Sequence, residues 1–173
     1  MRSFLLPAFA TCILGMLSAP PASAQSRTGV VNFQRAVLDT AEFKKAYADL
    51  ELKYKPKQEA LAKAQQELQD IETQFRASQG QLSSSGTAEL QARGQRKQVE
   101  VTRLNDDIQE EFTKDRDAAL QVTSTRMGEV LKKLADDVQV DLFVDAGSAP
   151  FFRAALDFTD KAVAAYNLAH PAK

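Results

Sequence analysis

Four carboxylates crowd the stretch "DDVQVDLFVD": Asp136, Asp137, Asp141 and Asp145. Clustered acids invite a cation, because hard divalent ions are held by several oxygen ligands at once. The spacing argues otherwise. No glycine-shaped calcium loop follows, and on a strand Asp141 and Asp145 share a face with Phe143 between them. We read them as solvated acids. Other reactive types are scarce. His170 stands alone near the end, and Cys12 is the only cysteine. No Ser/His/Asp or Cys/His set, paired-carboxylate motif or glycine-rich phosphate loop is written. Tryptophan is absent and glycine is sparse. The chain is therefore expected not to be an enzyme, and to need no cofactor and no metal.

A second group could bind rather than react. Arg76, Arg93, Arg96, Lys97 and Arg103 face only Glu89 and Glu100 between residues 76 and 103, a net charge of +3. The next block, 104–117, carries six acids against Lys114 and Arg116, a net of −4. Such a basic patch could meet a partner chain or anionic lipid headgroups; it could equally be a solvated helix end. The whole chain is near balance at −1. Nucleic-acid binding, which usually needs a strongly basic face, is not expected.

The elements that position these groups begin after a leader. "MRSFLLPAFATCILGMLSAPPASA" has a basic start, an apolar middle and Ala22-Ser23-Ala24, the pattern of a secretory signal peptide cleaved after Ala24. Cys12 lies inside it, so the mature protein has no thiol, and its net charge becomes −2 once Arg2 is removed. Export in a Gram-negative cell means the periplasm.

"TGVVNFQRAVLD" alternates as a strand, with Val31, Phe33 and Arg35 on one face. From about Ala41 to Gln79 a seven-residue register appears: Tyr47, Tyr54, Leu61, Leu68, Phe75 and Leu82, with Phe43, Leu50, Ala64 and Ile71 between them. That is a coiled-coil seam. Asp39 with Glu42 suggests a capping box at its start. Pro56 interrupts the helix and is a candidate kink or hinge. A turn rich in serine and glycine at 78–88 leads to a second helix, about Thr87 to Asp136, whose seam drifts away from seven. The two form an antiparallel hairpin arm over 41–136. Then "VDLFVDAGSAPFF" reads as a strand, a turn at Gly147 to Pro150, and a return strand from Phe151. A short helix follows from Asp157. Residues 25–40 and 137–173 should meet as a small β body, too small to stand alone without disulfides and completed by further copies. The expected class is α+β and mostly helical.

In this order of elements the chain resembles the Skp/OmpH family of periplasmic chaperones. The residues that carry the likeness are "GVVNFQRAV" (29–37), "YKPKQEALAKAQQELQ" (54–69), "VDLFVDAGSAPFF" (140–152) and "DFTDKAV" (157–163). The resemblance implies a homotrimer whose arms enclose a cavity for unfolded outer-membrane proteins, with no nucleotide used. Carried over by position, Val30, Val31, Phe33, Leu142, Phe143, Val144, Phe151 and Phe152 would form the barrel core and subunit contacts. The basic tip would touch clients or, transiently, anionic lipid. The rival expectation is an adaptor that docks its hairpin onto another envelope component and carries a further domain or anchor.

Overall fold

The computed structural model describes residues 27–78 and 80–172. The expected leader, its cleavage point and Cys12 lie outside these residues. Strand β1 (Thr28–Val31) is followed by three helices, α1 (Phe33–Leu38), α2 (Ala41–Ala77) and α3 (Ser84–Val138). Strand β2 (Leu142–Asp145), two short 3₁₀ turns at 146–148 and 154–156, and helix α4 (Thr159–Ala169) complete the chain.

The two β segments do meet. β1 and β2 pair in parallel, with Val30 opposite Val144 and Val31 opposite Asp145. The arm is the crossover between them, since parallel neighbours need a long connection. Gly29 lies opposite Phe143; a Cβ there would stand 2.5 Å from the Phe143 ring, so only glycine admits this approach. Two expectations about the strands need correcting. The first strand does not run on through Phe33 and Arg35. Asn32 ends it, because its side chain accepts from the Arg35 amide and starts α1 at Phe33. A capping asparagine outweighs four residues of apparent alternation. The C-terminal hairpin is also absent as such. After β2, Asp145 accepts from the Gly147 amide, the chain coils through 146–157, and only Asp157 returns, in a single bridge to Val30. Phe151 and Phe152 lie in coil, not in a return strand.

The arm follows its seam. Phe43, Tyr54, Ala64 and Ile71 of α2 and Val101 and Ile108 of α3 are buried, while Tyr47 and Leu82 of the same register are exposed. Aromatics fill the half nearer the base: Phe112 meets Tyr54 edge-on at 5.4 Å and Tyr47 at 6.0 Å. The start of α2 is capped by Thr40, which accepts from the Phe43 amide, not by Asp39. The helix runs unbroken through Pro56. At 1.5 Å per residue α2 reaches about 55 Å and α3 about 80 Å. The extra length of α3 enters the base. There Met127, Val130 and Leu134 form one sealed cluster with Val31, Ala36, Val37, Ala162 and Tyr166. α3 ends in a Schellman turn with Gln139 in the left-handed region at φ 53° and the Val140 amide donating back to Ala135. The Gln139 side chain accepts from Arg27, which offsets part of that backbone cost.

Candidate functional site

Three places on this frame could serve a function: the tip of the arm, its middle around Pro56, and the base with the root of the arm.

At the tip the five basic residues are not equivalent. Lys97 is mostly covered and bridges Glu67 at 2.9 Å and Glu100 at 2.7 Å. Its hydrogen bonds to the Glu100 and Glu67 carboxylates hold the ammonium above the usual lysine range. Arg103 lies 3.7 Å from Asp107, and the Arg76 side chain donates to the Glu72 carbonyl. Arg93 and Arg96 are exposed and make no ion pair among the described residues. The structure thus splits the patch into one structural lysine and two arginines open to water. Beside them a groove of ≈590 Å³ opens in the seam, lined on its apolar side by Leu68, Ile71, Phe75 and Leu90 and floored by Gly94.

In the middle of the arm, Pro56 is bracketed by cross-arm ties. Lys53 donates to Asp115 at 2.6 Å, the Tyr54 hydroxyl donates to the same carboxylate at 2.9 Å, and Lys57 pairs with Glu111. The hydrogen bonds from Lys53 and Tyr54 hold Asp115 below the usual carboxylate range. Burial, with the bond to Asp115, pushes the Tyr54 phenol up. Proline strips the Leu52 carbonyl of its helical partner. Leu52 lies on an exposed face, where water can take that role.

At the base, the residues expected to meet sister chains divide in two. Val30 and Val31 are buried within this chain, and Phe143 packs edge-on to Phe158 at 5.5 Å. Phe33, Val144 and Phe152 are half-buried. Leu142, at 57% exposure, and Phe151, at 84%, face outward together with Leu38 and Leu156. β1 is flanked by β2 on one side and by Asp157 on the other, so among the described residues β2 keeps one open edge. The aspartates have local duties: Asp141 accepts from the Arg27 amide, and Asp145 accepts from Phe33 and Gly147. Among the described residues no group of three or more acids, histidines or cysteines is gathered as for a metal. His170 tilts against the Tyr166 ring, 5.0 Å between centroids.

Sequence reasoning missed a polar cluster that joins three helices at the root of the arm. Glu42, in the first turn of α2, accepts from two other helices: Arg126 of α3 on one oxygen, and the Tyr166 hydroxyl of α4, at 2.6 Å, on the other. Burial raises the Glu42 pKa, but the hydrogen bonds from Tyr166 and Arg126 outweigh it and hold the carboxyl below its usual range. Burial, then the bond to Glu42, pushes the Tyr166 phenol up to about 12. Arg126 and Tyr166 lie 84 and 124 positions from Glu42, so no local pattern could have linked the three.

A long two-helix arm rooted in a small mixed base is the architecture of this chain. The chain belongs to the outer membrane protein (OmpH-like) family, whose model matches residues 27–166. Among curated proteins none matches at a significant level. Among solved structures, the chain is similar to a crystal structure of a candidate outer membrane chaperone (OmpH-like) from Caulobacter crescentus CB15. The TM-score is 0.69 at 16% identity, over 91% of this chain and 94% of the other. That likeness bears on the fold, a helical hairpin arm on a small β body.

Proposed function

We propose that this protein is an exported, ATP-independent holdase of the periplasm that shelters unfolded outer-membrane proteins between the arms of a homotrimer. The observation that carries this reading is the contrast at the base. A two-stranded sheet of four-residue strands has an open edge, and Leu142 and Phe151 face outward beside it. So small a sheet is marginal alone, and a bare strand edge next to large apolar side chains invites another chain. Copies joined there would point their arms one way and leave a space between them. Family membership and the likeness to an OmpH-like chaperone structure support the same assignment.

A holdase has to grip without fixing a sequence. The arm surface suits that task, being largely exposed and polar with scattered Leu52, Leu82, Val99 and Val122. Charge contacts at such a wet surface are worth under about 1 kcal/mol each, and many of them add through avidity. Sequestered segments cannot then meet each other and aggregate. In this reading the exposed Arg93 and Arg96 would touch acidic client segments or, transiently, anionic lipid.

Two measurements test the reading. Mass determination in solution should give three chains; a stable monomer overturns the trimer. Stoichiometric trimer should keep a β-barrel protein diluted from urea out of aggregates without nucleotide; unchanged aggregation overturns the holdase role.

A further inference from the structure

The core of the base takes side chains from β1, β2, α1, α3 and α4, and from residues flanking them, but none from α2. Half of the arm therefore stays outside that core. α2 is held along its length by α3; in its first turn Phe43 is buried outside the core cluster, and polar bonds supply its ties to the base. Thr40 donates to the Val37 carbonyl. The Ala41 amide, which has no acceptor inside its own helix, donates to the Asn167 side chain of α4 at 2.9 Å. Glu42 takes Tyr166 of α4 and Arg126 of α3. Two of these ties come from adjacent residues of one short helix.

We propose that α4 is a latch, and that its seating on Ala41 and Glu42 sets the mobility of the arm at its root, making this junction the pivot of the arm in place of Pro56. Helix α4 has the properties of a switchable element. It is 11 residues long, below the length at which a helix persists in water by itself, so it is ordered by docking. Its two ends hold different parts. The start is tied to the strand side of the base, where Thr159 accepts from the Asn32 amide and the Phe158 amide donates to Val30. The end is tied to α2 by Tyr166 and Asn167. Releasing that end leaves the first turn of α2 with an unpartnered Ala41 amide and leaves Glu42 held by Arg126 alone. Pro56, by contrast, is spanned on both sides by the bonds of Lys53, Tyr54 and Lys57 across to α3.

Amide hydrogen exchange of the whole mature protein reads this directly, because exchange reports local opening. Tyr166→Phe removes one bond and leaves Asn167 in place. Exchange of the Ala41 amide and of residues 41–47 should rise about fivefold, as expected for one hydrogen bond. The outer arm, 60–71 and 97–108, should change by less than about twofold. Asn167→Ala, a milder change at a half-covered position, should loosen 42–47 in the same way. Pro56→Ala should leave the root unchanged. The latch is overturned if Tyr166→Phe speeds exchange equally throughout the chain, which marks general loss of stability, or only within α4. It is also overturned if Pro56→Ala loosens the root as much.

Discussion

The root and the outer half of the arm are one hairpin held by different means. At the root, α3 dips into a core where Met127, Ala36, Ala162 and Tyr166 are fully buried, and carboxylate and phenol groups cross-link three helices. Farther out, two helices share a single seam of Ala64, Ile71, Val101 and Ile108, with a groove in it and charge on every other face. One seam between two helices cannot seal itself on all sides, so the outer arm gains less burial per residue and stays wet. In this chain α3 is thus rooted in the base core while the outer end of the arm remains open to whatever it meets.

The largest break in that contrast should come from truncating matched buried side chains. Met127→Ala at the root should cost about 3–4 kcal/mol, by lost burial and the cavity left behind. Ile71→Ala, beside a groove that solvent already enters, should cost about 2 kcal/mol. Urea unfolding followed by far-UV dichroism measures both. Equal losses would mean that the outer seam is as tightly packed as the root.

Titration separates the root from the rest. The folded Tyr166 pKa, about 12, lies above its ordinary value of 10.0, so its neutral form is favoured by folding. That contribution is complete below about pH 10 and is lost as pH climbs through the folded value, by up to about 3 kcal/mol. Arg126, which faces the same hydroxyl from α3, and Glu42 from α2 modulate it from opposite signs. In Tyr166→Phe the alkaline loss should shrink. Glu42 behaves in the reverse sense. Its folded pKa lies below 4.5, so its stabilisation is present above that value and fades as pH falls through the lowered one. Glu42→Gln should flatten this acid limb, read as melting temperature against pH.

A smaller effect of opposite sign belongs to the outer arm. Gly94 lies inside α3, and a Cβ there would make an ordinary contact with Ile71 at 3.5 Å. Gly94→Ala should therefore stabilise by about 0.5–1 kcal/mol through helix propensity and partial filling of the groove. A melting temperature that falls would show a tighter seam than the geometry gives.

Much of this architecture was legible because it is periodic. Tyr54, Ala64 and Ile71 were placed in the seam by spacing alone, and all three are buried. The turn near residue 80 announced itself by glycine and serine. The ends were harder. Four residues of β1 are too few for alternation to define a strand, and Asn32 turned the rest into α1. The expected hairpin failed because Gly147 and Pro150 mark a turn without saying where the chain goes next. Tyr47 and Leu82 hold core register yet stay exposed, since a two-helix seam covers only part of each position. The root cluster of Glu42, Arg126 and Tyr166 was invisible for a plainer reason. Its members are ordinary polar residues until the fold brings them together.

The smallest change is expected where charge is most conspicuous. Arg93 and Arg96 are exposed, make no ion pair among the described residues, and lie in a block with a net charge of +3. Replacing both with alanine removes repulsion from Arg76 and Lys97 but also two long stems along the helix. Away from any buried feature such surface changes usually stay within about 0.5 kcal/mol of neutral. Thermal and urea midpoints should therefore match the parent, and the hydrogen exchange of the root should be untouched. If the tip serves binding, the same variant should lose grip on acidic client segments at low salt. The loss should vanish at about 1 M salt, where screening acts over about 3 Å. A variant that unfolds earlier would make the arginines part of the scaffold. A variant equal to the parent in both stability and low-salt binding would leave the cavity between the arms, and not their tips, as the place where clients are held.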